Sequence, residues 1–192
     1  MRGDVVPGVG KIAVLRANGL GDLLFAGPAL DALRAAYPRA EIVLLGREWH
    51  AEFVPGRLPG VDRVVVVPLA TGIWAPPGHE DDPSELDSFF AAMQQEGFDL
   101  ALQLHGGGRY SNPFVRRLGA RVSAGLRTPD AEGLDREVPY VYYQSEVFRL
   151  LEVVATVGGS TSVLEPHLSV LDEDLVEADA CVGGREPLVA LQ

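Results

Sequence analysis

Apolar and polar residues fall in blocks whose period changes along the chain. Residues 11–16 (KIAVLR) form a nearly continuous apolar run, as do 41–46 (EIVLLG), 63–68 (RVVVVP) and 100–104 (LALQL). Short runs of this kind between turn residues predict strands buried on both faces of a parallel sheet. Between them the period lengthens. Leu30, Leu33 and Tyr37 recur at helical spacing, in a helix predicted to start near Pro28 and to stop at Pro38. Leu86, Phe89, Phe90 and Met93 do the same over 84–96, with Ser84 as the expected N-cap and Gly97 as the stop. A helix over 112–119 is predicted from Asn112 and Pro113, a strand over 121–126, a loop over 128–139, and a longer helix over 145–157. A short helix or turn is expected over 48–54. The Pro- and Gly-rich connection over 69–83 is long, so it is either a functional flap or disordered.

Alternation of strand and helix predicts an α/β fold with a Rossmann-like, doubly wound parallel sheet. Residues 1–10 read as a flexible leader and 11–186 as one domain. Residues 187–192, with the apolar run LVALQ, read as one more buried strand, the first of a second α/β unit.

Composition narrows the function. The net charge of −11 argues against a nucleic-acid partner. The acids concentrate in 80–87 and 172–179, where solvated loops and a solvated helix face account for them. Lys11 is the single lysine, so the basic side is almost all arginine, which suits bidentate contacts to phosphate or carboxylate. One cysteine, Cys181, excludes an intrachain disulfide and a multi-cysteine zinc site. The first residues lack the apolar core of an export signal, and no run is long enough to cross a bilayer.

Candidate chemistry lies at two turns that follow strands on one sheet edge. The first, RANGLGD over 16–22, holds a cation at Arg16, a glycine pair at Gly19 and Gly21, and a carboxylate at Asp22. Gly19 and Gly21 let backbone approach a ligand closely. On spacing alone, Asp22 is equally a first-turn acid satisfied by backbone N–H groups or a general base. Arg16 is equally a salt-bridge partner or a ligand contact. The second turn, over 103–112, carries Gln103, His105, three glycines and Arg109. Two nucleotide patterns fall short. PGVGK over 7–11 has Ile12 where a P-loop needs Ser or Thr, and it precedes its strand. The first turn has Leu24 where a dinucleotide fingerprint has Gly or Ala, and its glycines come late. Arg47 after the second strand would otherwise suit a phosphorylated nicotinamide cofactor.

Arg16, Leu20-Gly21-Asp22, Pro28, Leu33, Tyr37-Pro38 and Ala40, followed by EIVLLG, resemble the start of glycosyltransferase family 9, the ADP-heptose:lipopolysaccharide heptosyltransferases and their relatives. The likeness runs on through VDRVVVVP, FDLALQLHGGGR, the segment 119–126 and SEVFRLLEVV, and so covers nearly the whole chain. It implies a GT-B architecture of two Rossmann-like domains, with this chain as the amino-terminal, acceptor-binding half. Asp22 then matches the base of an inverting, metal-independent transfer. Arg16, Asn18, Gly21, Gln103, His105 and Arg109 match acceptor-binding positions. The domain itself holds no cofactor; a nucleotide-sugar donor such as ADP-heptose belongs to the complete protein. The implied partners are a glycan or glycolipid acceptor and a carboxyl-terminal donor domain. The implied location is the cytoplasm, with room for peripheral association at the inner face of the membrane. The 192-residue chain alone is expected to be inactive. His105 stands where the lipopolysaccharide enzymes often have Gln, and Ser145 where many members have His, so the acceptor stays open. The competing readings are a non-catalytic α/β binding module or truncated relic, and, behind these, a nicotinamide-dependent oxidoreductase.

Overall fold

The computed structural model describes residues 3–183. Six strands form one parallel sheet: β1 (Lys11–Leu15), β2 (Glu41–Gly46), β3 (Arg63–Val66), β4 (Leu100–Gln103), β5 (Val122–Arg127) and β6 (Arg136–Pro139). Their order is β3-β2-β1-β4-β5-β6, the doubly wound Rossmann order. Six helices accompany them: α1 (Leu20–Ala36), α2 (Glu48–Phe53), α3 (Pro83–Gln95), α4 (Ser111–Arg117), α5 (Glu146–Thr156) and α6 (Asp172–Val182).

Strand side chains alternate between faces, so the central strands feed two cores. Ile12 and Val14 join Leu23, Leu30 and Leu33 of α1 and Leu150 and Val153 of α5. Ala13 and Leu15 join Phe90 and Met93 of α3 and Phe114 and Val115 of α4. At roughly 1.5–3 kcal/mol for each large apolar side chain removed from water, these two layers are the main favourable term in folding.

Several boundaries differ from the sequence expectation, each for a physical reason. Helix α1 begins at Leu20, not near Pro28, and Pro28 lies inside it. Proline costs the helix a hydrogen bond, but Leu23, Ala26, Ala29, Leu30 and Leu33 form a buried stripe spanning it, and their burial outweighs that loss. The N-cap of α3 is Asp82, not Ser84: its carboxylate accepts from Ser84 N–H at 2.9 Å and Glu85 N–H at 3.2 Å, and Pro83 takes the first helical position. Tyr110, not Asn112, precedes α4. The loop expected over 128–139 contains β6, whose sequence REVP has too little apolar character to signal a strand.

Residues 3–10, expected as a flexible leader, are tied to the domain. Gly3 N–H donates to the Ala155 carbonyl at 2.9 Å, and Val6 is buried. The connection over 69–83 is also packed: Ala70, Ile73 and Ala75 are buried, and Trp74 Nε1–H donates to the Pro68 carbonyl at 2.7 Å. Helix α6 buries no residue and is held through Arg57, which pairs with Asp174. Its other acids, Asp172, Glu173, Glu177 and Asp179, are exposed. No helix among the described residues is long and apolar enough to cross a membrane. The strand expected at 187–192 lies outside the described residues.

Tyr37 links three segments. Its buried hydroxyl donates to the Val157 carbonyl at 2.6 Å and accepts from Val6 N–H at 2.9 Å. Tyr37→Phe would leave both backbone groups without a partner, so we expect a loss of about 1–3 kcal/mol. Urea unfolding with an unchanged slope and a lower midpoint is the expected result; an unchanged midpoint would refute the link.

Candidate functional site

In an open α/β sheet, helix connections leave in opposite directions at one point, and ligands bind outside the strand carboxyl ends there. That point lies between β1 and β4. The turns following these two strands are those singled out in the sequence.

Arg16 directly follows β1 and is only 1% exposed. Its Nε and Nη2 both donate to the Asp22 carbonyl, at 3.0 and 2.8 Å. Nη1 donates to the Leu104 carbonyl at 2.5 Å and to Glu146 Oε1 at 3.1 Å. Nη2 also lies 3.3 Å from Asp22 Oδ1. Burial lowers this guanidinium's pKa, opposed by the charges of Glu146 and Asp22. Arginine still remains a cation. The sequence left Arg16 open between a salt-bridge partner and an acceptor contact, and the structure gives it the ion pairs with Asp22 and Glu146. With almost no exposed surface and its donors committed, it holds Asp22 in place.

Asp22 is in the first turn of α1. Its Oδ2 accepts from Gly19 N–H at 3.3 Å, while 46% of its side chain stays exposed. The carboxylate therefore caps the helix and still faces solvent. A Cβ on the neighbouring Gly21 would meet nothing within 4 Å, so space is open beside it. Asn18, in the same turn, keeps a buried Oδ1 with no hydrogen-bond partner among the described residues. Buried polar atoms are nearly always satisfied, so this one is available to water or a ligand.

The second turn is a built scaffold. Gln103 is fully buried; its Nε2 donates to the His105 carbonyl at 2.7 Å and the Gly106 carbonyl at 3.1 Å, and its Oε1 accepts from Leu126 N–H at 3.2 Å. Gly108 has φ +100°, and a Cβ there would approach the Leu126 carbonyl oxygen to 2.7 Å, so only glycine fits. His105 Nδ1 accepts from Ala17 N–H at 3.2 Å, joining the two turns, and the ring lies against the backbone of Gly72 and Ile73. Burial, reinforced by the Arg16 charge, pushes His105 down to about 4, so it is neutral at pH 7. Gln103 and His105 were expected to bind acceptor. They are enclosed and shape the turn. Arg109 is exposed, beside Asp130 at 3.8 Å and over the Tyr110 ring at 5.5 Å, outside the Arg16–Asp22 network.

Glu146 was not singled out in the sequence. It opens α5, pairs with Arg16 and also with Arg149, one helical turn on. Arg149 in turn donates to the carbonyls of Val141, Tyr142 and Gln144 and so fixes the approach to α5. The available signal was the acid–base pair at i, i+3 at a helix start. A second buried histidine, His50, follows β2. Its Nδ1 accepts from Arg47 N–H at 2.9 Å, and burial, with the Arg47 charge adding, pushes it down to about 4.

No family model and no curated protein matches the chain. Solved structures do. A glycosyl transferase family 9 protein from Veillonella parvula superposes with a TM-score of 0.68 at 17% identity, over 94% of this chain and 51% of that one. E. coli ADP-heptose lps heptosyltransferase II gives a TM-score of 0.69 at 17% identity, over 92% and 51%. E. coli heptosyltransferase WaaC, solved with ADP, gives 0.57 at 23% identity, over 78% and 48%. The likeness suggested by the Leu20-Gly21-Asp22 turn thus extends to the fold. The chain spans about half the length of these structures.

Two outcomes follow from the geometry. Arg16→Ala strands two carboxylates and two carbonyls, and a loss of about 3–5 kcal/mol is expected on denaturation. His50 and His105 are held near 4 when folded, against 6.5 when free. Their neutral forms stabilise the fold fully above pH 6.5, and that contribution is lost as pH falls toward 4. Between pH 7 and pH 5 the loss is about 2 kcal/mol for each. Replacing both with Gln should flatten the stability profile over that interval; an unchanged slope would show that they titrate normally.

Proposed function

We propose that this chain is the acceptor-binding half of an inverting glycosyltransferase and that Asp22 is its general base. The observation carrying this is the half-exposed Asp22 carboxylate, fixed by Gly19 N–H and Arg16 beside open space at the sheet's switch point. The fold shared with the family 9 and heptosyltransferase structures supports it. In the proposed step, Asp22 takes the proton of an acceptor hydroxyl as that oxygen bonds to the anomeric carbon. The bond from that carbon to the nucleotide diphosphate breaks on the opposite face, and the diphosphate leaves with the electron pair. Asn18, Gly21 and the exposed Arg109 are the acceptor contacts of this reading, while Arg16, Gln103 and His105 hold the turns. A nucleotide sugar, ADP-heptose-like, is supplied from a donor unit outside these residues, and the acceptor is a glycan or glycolipid.

The same turn speaks against a dinucleotide. A Rossmann helix offers its N-terminal N–H groups to a pyrophosphate. Here Gly19 N–H is taken by the Asp22 carboxylate, which places negative charge where the pyrophosphate would sit.

In a protein carrying this chain together with a donor unit, Asp22→Asn should lower kcat about 10²–10⁴-fold with KM little changed. Nearly intact turnover would sink the base assignment. The 192-residue chain alone should transfer no sugar from any nucleotide sugar, as product analysis by mass spectrometry would check.

A further inference from the structure

Arg16, one candidate to meet an anionic ligand, is enclosed, so an anion at this sheet edge needs another partner. The chain carries far more acid than base, and its arginines are heavily used. Every other described arginine apart from Arg39 pairs with a carboxylate or donates to backbone carbonyls. Arg47 does neither with its guanidinium among the described residues. It is half-buried and sits directly after β2, at the edge that holds the Arg16–Asp22 turn.

Its position is nonetheless fixed. The guanidinium carbon stands 5.2 Å from the centre of the Trp74 ring, and Trp74 is itself pinned by its bond to the Pro68 carbonyl. From below, His50 Nδ1 accepts the Arg47 backbone N–H. His50 is neutral at pH 7, so it neither satisfies nor repels the guanidinium's charge. Strands β1 and β2 pair Leu15 with Leu45, and Arg16 N–H donates to the Leu45 carbonyl at 3.1 Å, so Arg47 follows β2 alongside the turn that follows β1. Stacking on an aromatic face orients a guanidinium and leaves its N–H edge free for a carboxylate or phosphate.

We propose that Arg47, held by Trp74, binds an oxyanion, a carboxylate or phosphate group on the acceptor sugar. This rests on the acceptor-site reading for the ligand's identity, but the binding itself does not require catalysis. Arg39 is the control. It is exposed in the turn before β2, at the opposite sheet edge.

The test is a titration of the ¹⁵N-labelled chain with inorganic phosphate at constant ionic strength, balanced with chloride. The side-chain N–H signals of Arg47 and Trp74 should shift saturably, and Arg47→Gln should weaken binding at least tenfold while keeping the dispersed spectrum of a folded chain. Arg47→Lys, which keeps the charge without the planar fork, should fall in between. Arg39→Gln should bind as the unaltered chain does. Asp22→Asn should also keep binding, so the anion site and the base assignment fail separately. Parallel arms with a hexose phosphate and a hexuronic acid tell which oxyanion is preferred. Shifts that chloride reproduces, or saturable binding that survives Arg47→Gln, would overturn the proposal.

Discussion

A single buried cation sets the geometry of this domain's working edge. The Arg16 guanidinium reaches β1, the first turn of α1, the end of β4 and the start of α5 at once. Taking a charge out of water is costly, and the cost is tolerable only when partners surround it. Here those partners are two carbonyls and two carboxylates from segments far apart in sequence. Their mutual positions are therefore coupled: disturb one, and the cation is left undersatisfied. The planar, fork-shaped guanidinium suits this role, because its donors diverge in fixed directions and hold a carbonyl bidentately.

The edge divides its side chains into two groups. Arg16, Gln103, His105, Glu146 and Arg149 turn inward and bond to backbone or to one another. Asp22 is only partly used in this way and keeps an exposed carboxylate, while Asn18 keeps an oxygen unpartnered among the described residues. A functional group is held most precisely when what surrounds it is locked, and the Asp22 carboxylate proposed as the base has that surrounding. The neutral histidines fit the same logic. Each receives a backbone N–H on its Nδ1, a contact that protonation would break.

Much of this could be read from the sequence, and what could not has identifiable causes. The buried strands β1, β2 and β4 announce themselves by apolar runs too short for helices, and the strand–helix alternation then leaves few topologies. Strand β6 gave no such signal, because an edge strand needs no second apolar face. The start of α1 was obscured by Pro28, whose local preference is overridden by the buried stripe around it. The site residues were legible as types, but their directions were not. The residue type of Arg16 does not show that it points inward; its partners are the carbonyls of Asp22 and Leu104 and the carboxylate of Glu146, 130 residues away. Gln103 is likewise turned inward, by the carbonyls of His105 and Gly106 and by Leu126 N–H on the neighbouring β5.

The outer strand β6 bears on how the molecule behaves in a crowded solution. Among the described residues the parallel sheet is six strands wide and ends there, and an edge strand is the usual template for unwanted joining between chains. This rim is short, carries charges at Arg136 and Glu137, and finishes in Pro139, which has no N–H to offer. Arg136 also reaches across to the carbonyls of Asp4 and Thr156, so the amino-terminal segment and the end of α5 lie close by. The same four residues whose low apolar content hid them from the sequence pattern thus carry the features that discourage another strand from adding to this edge.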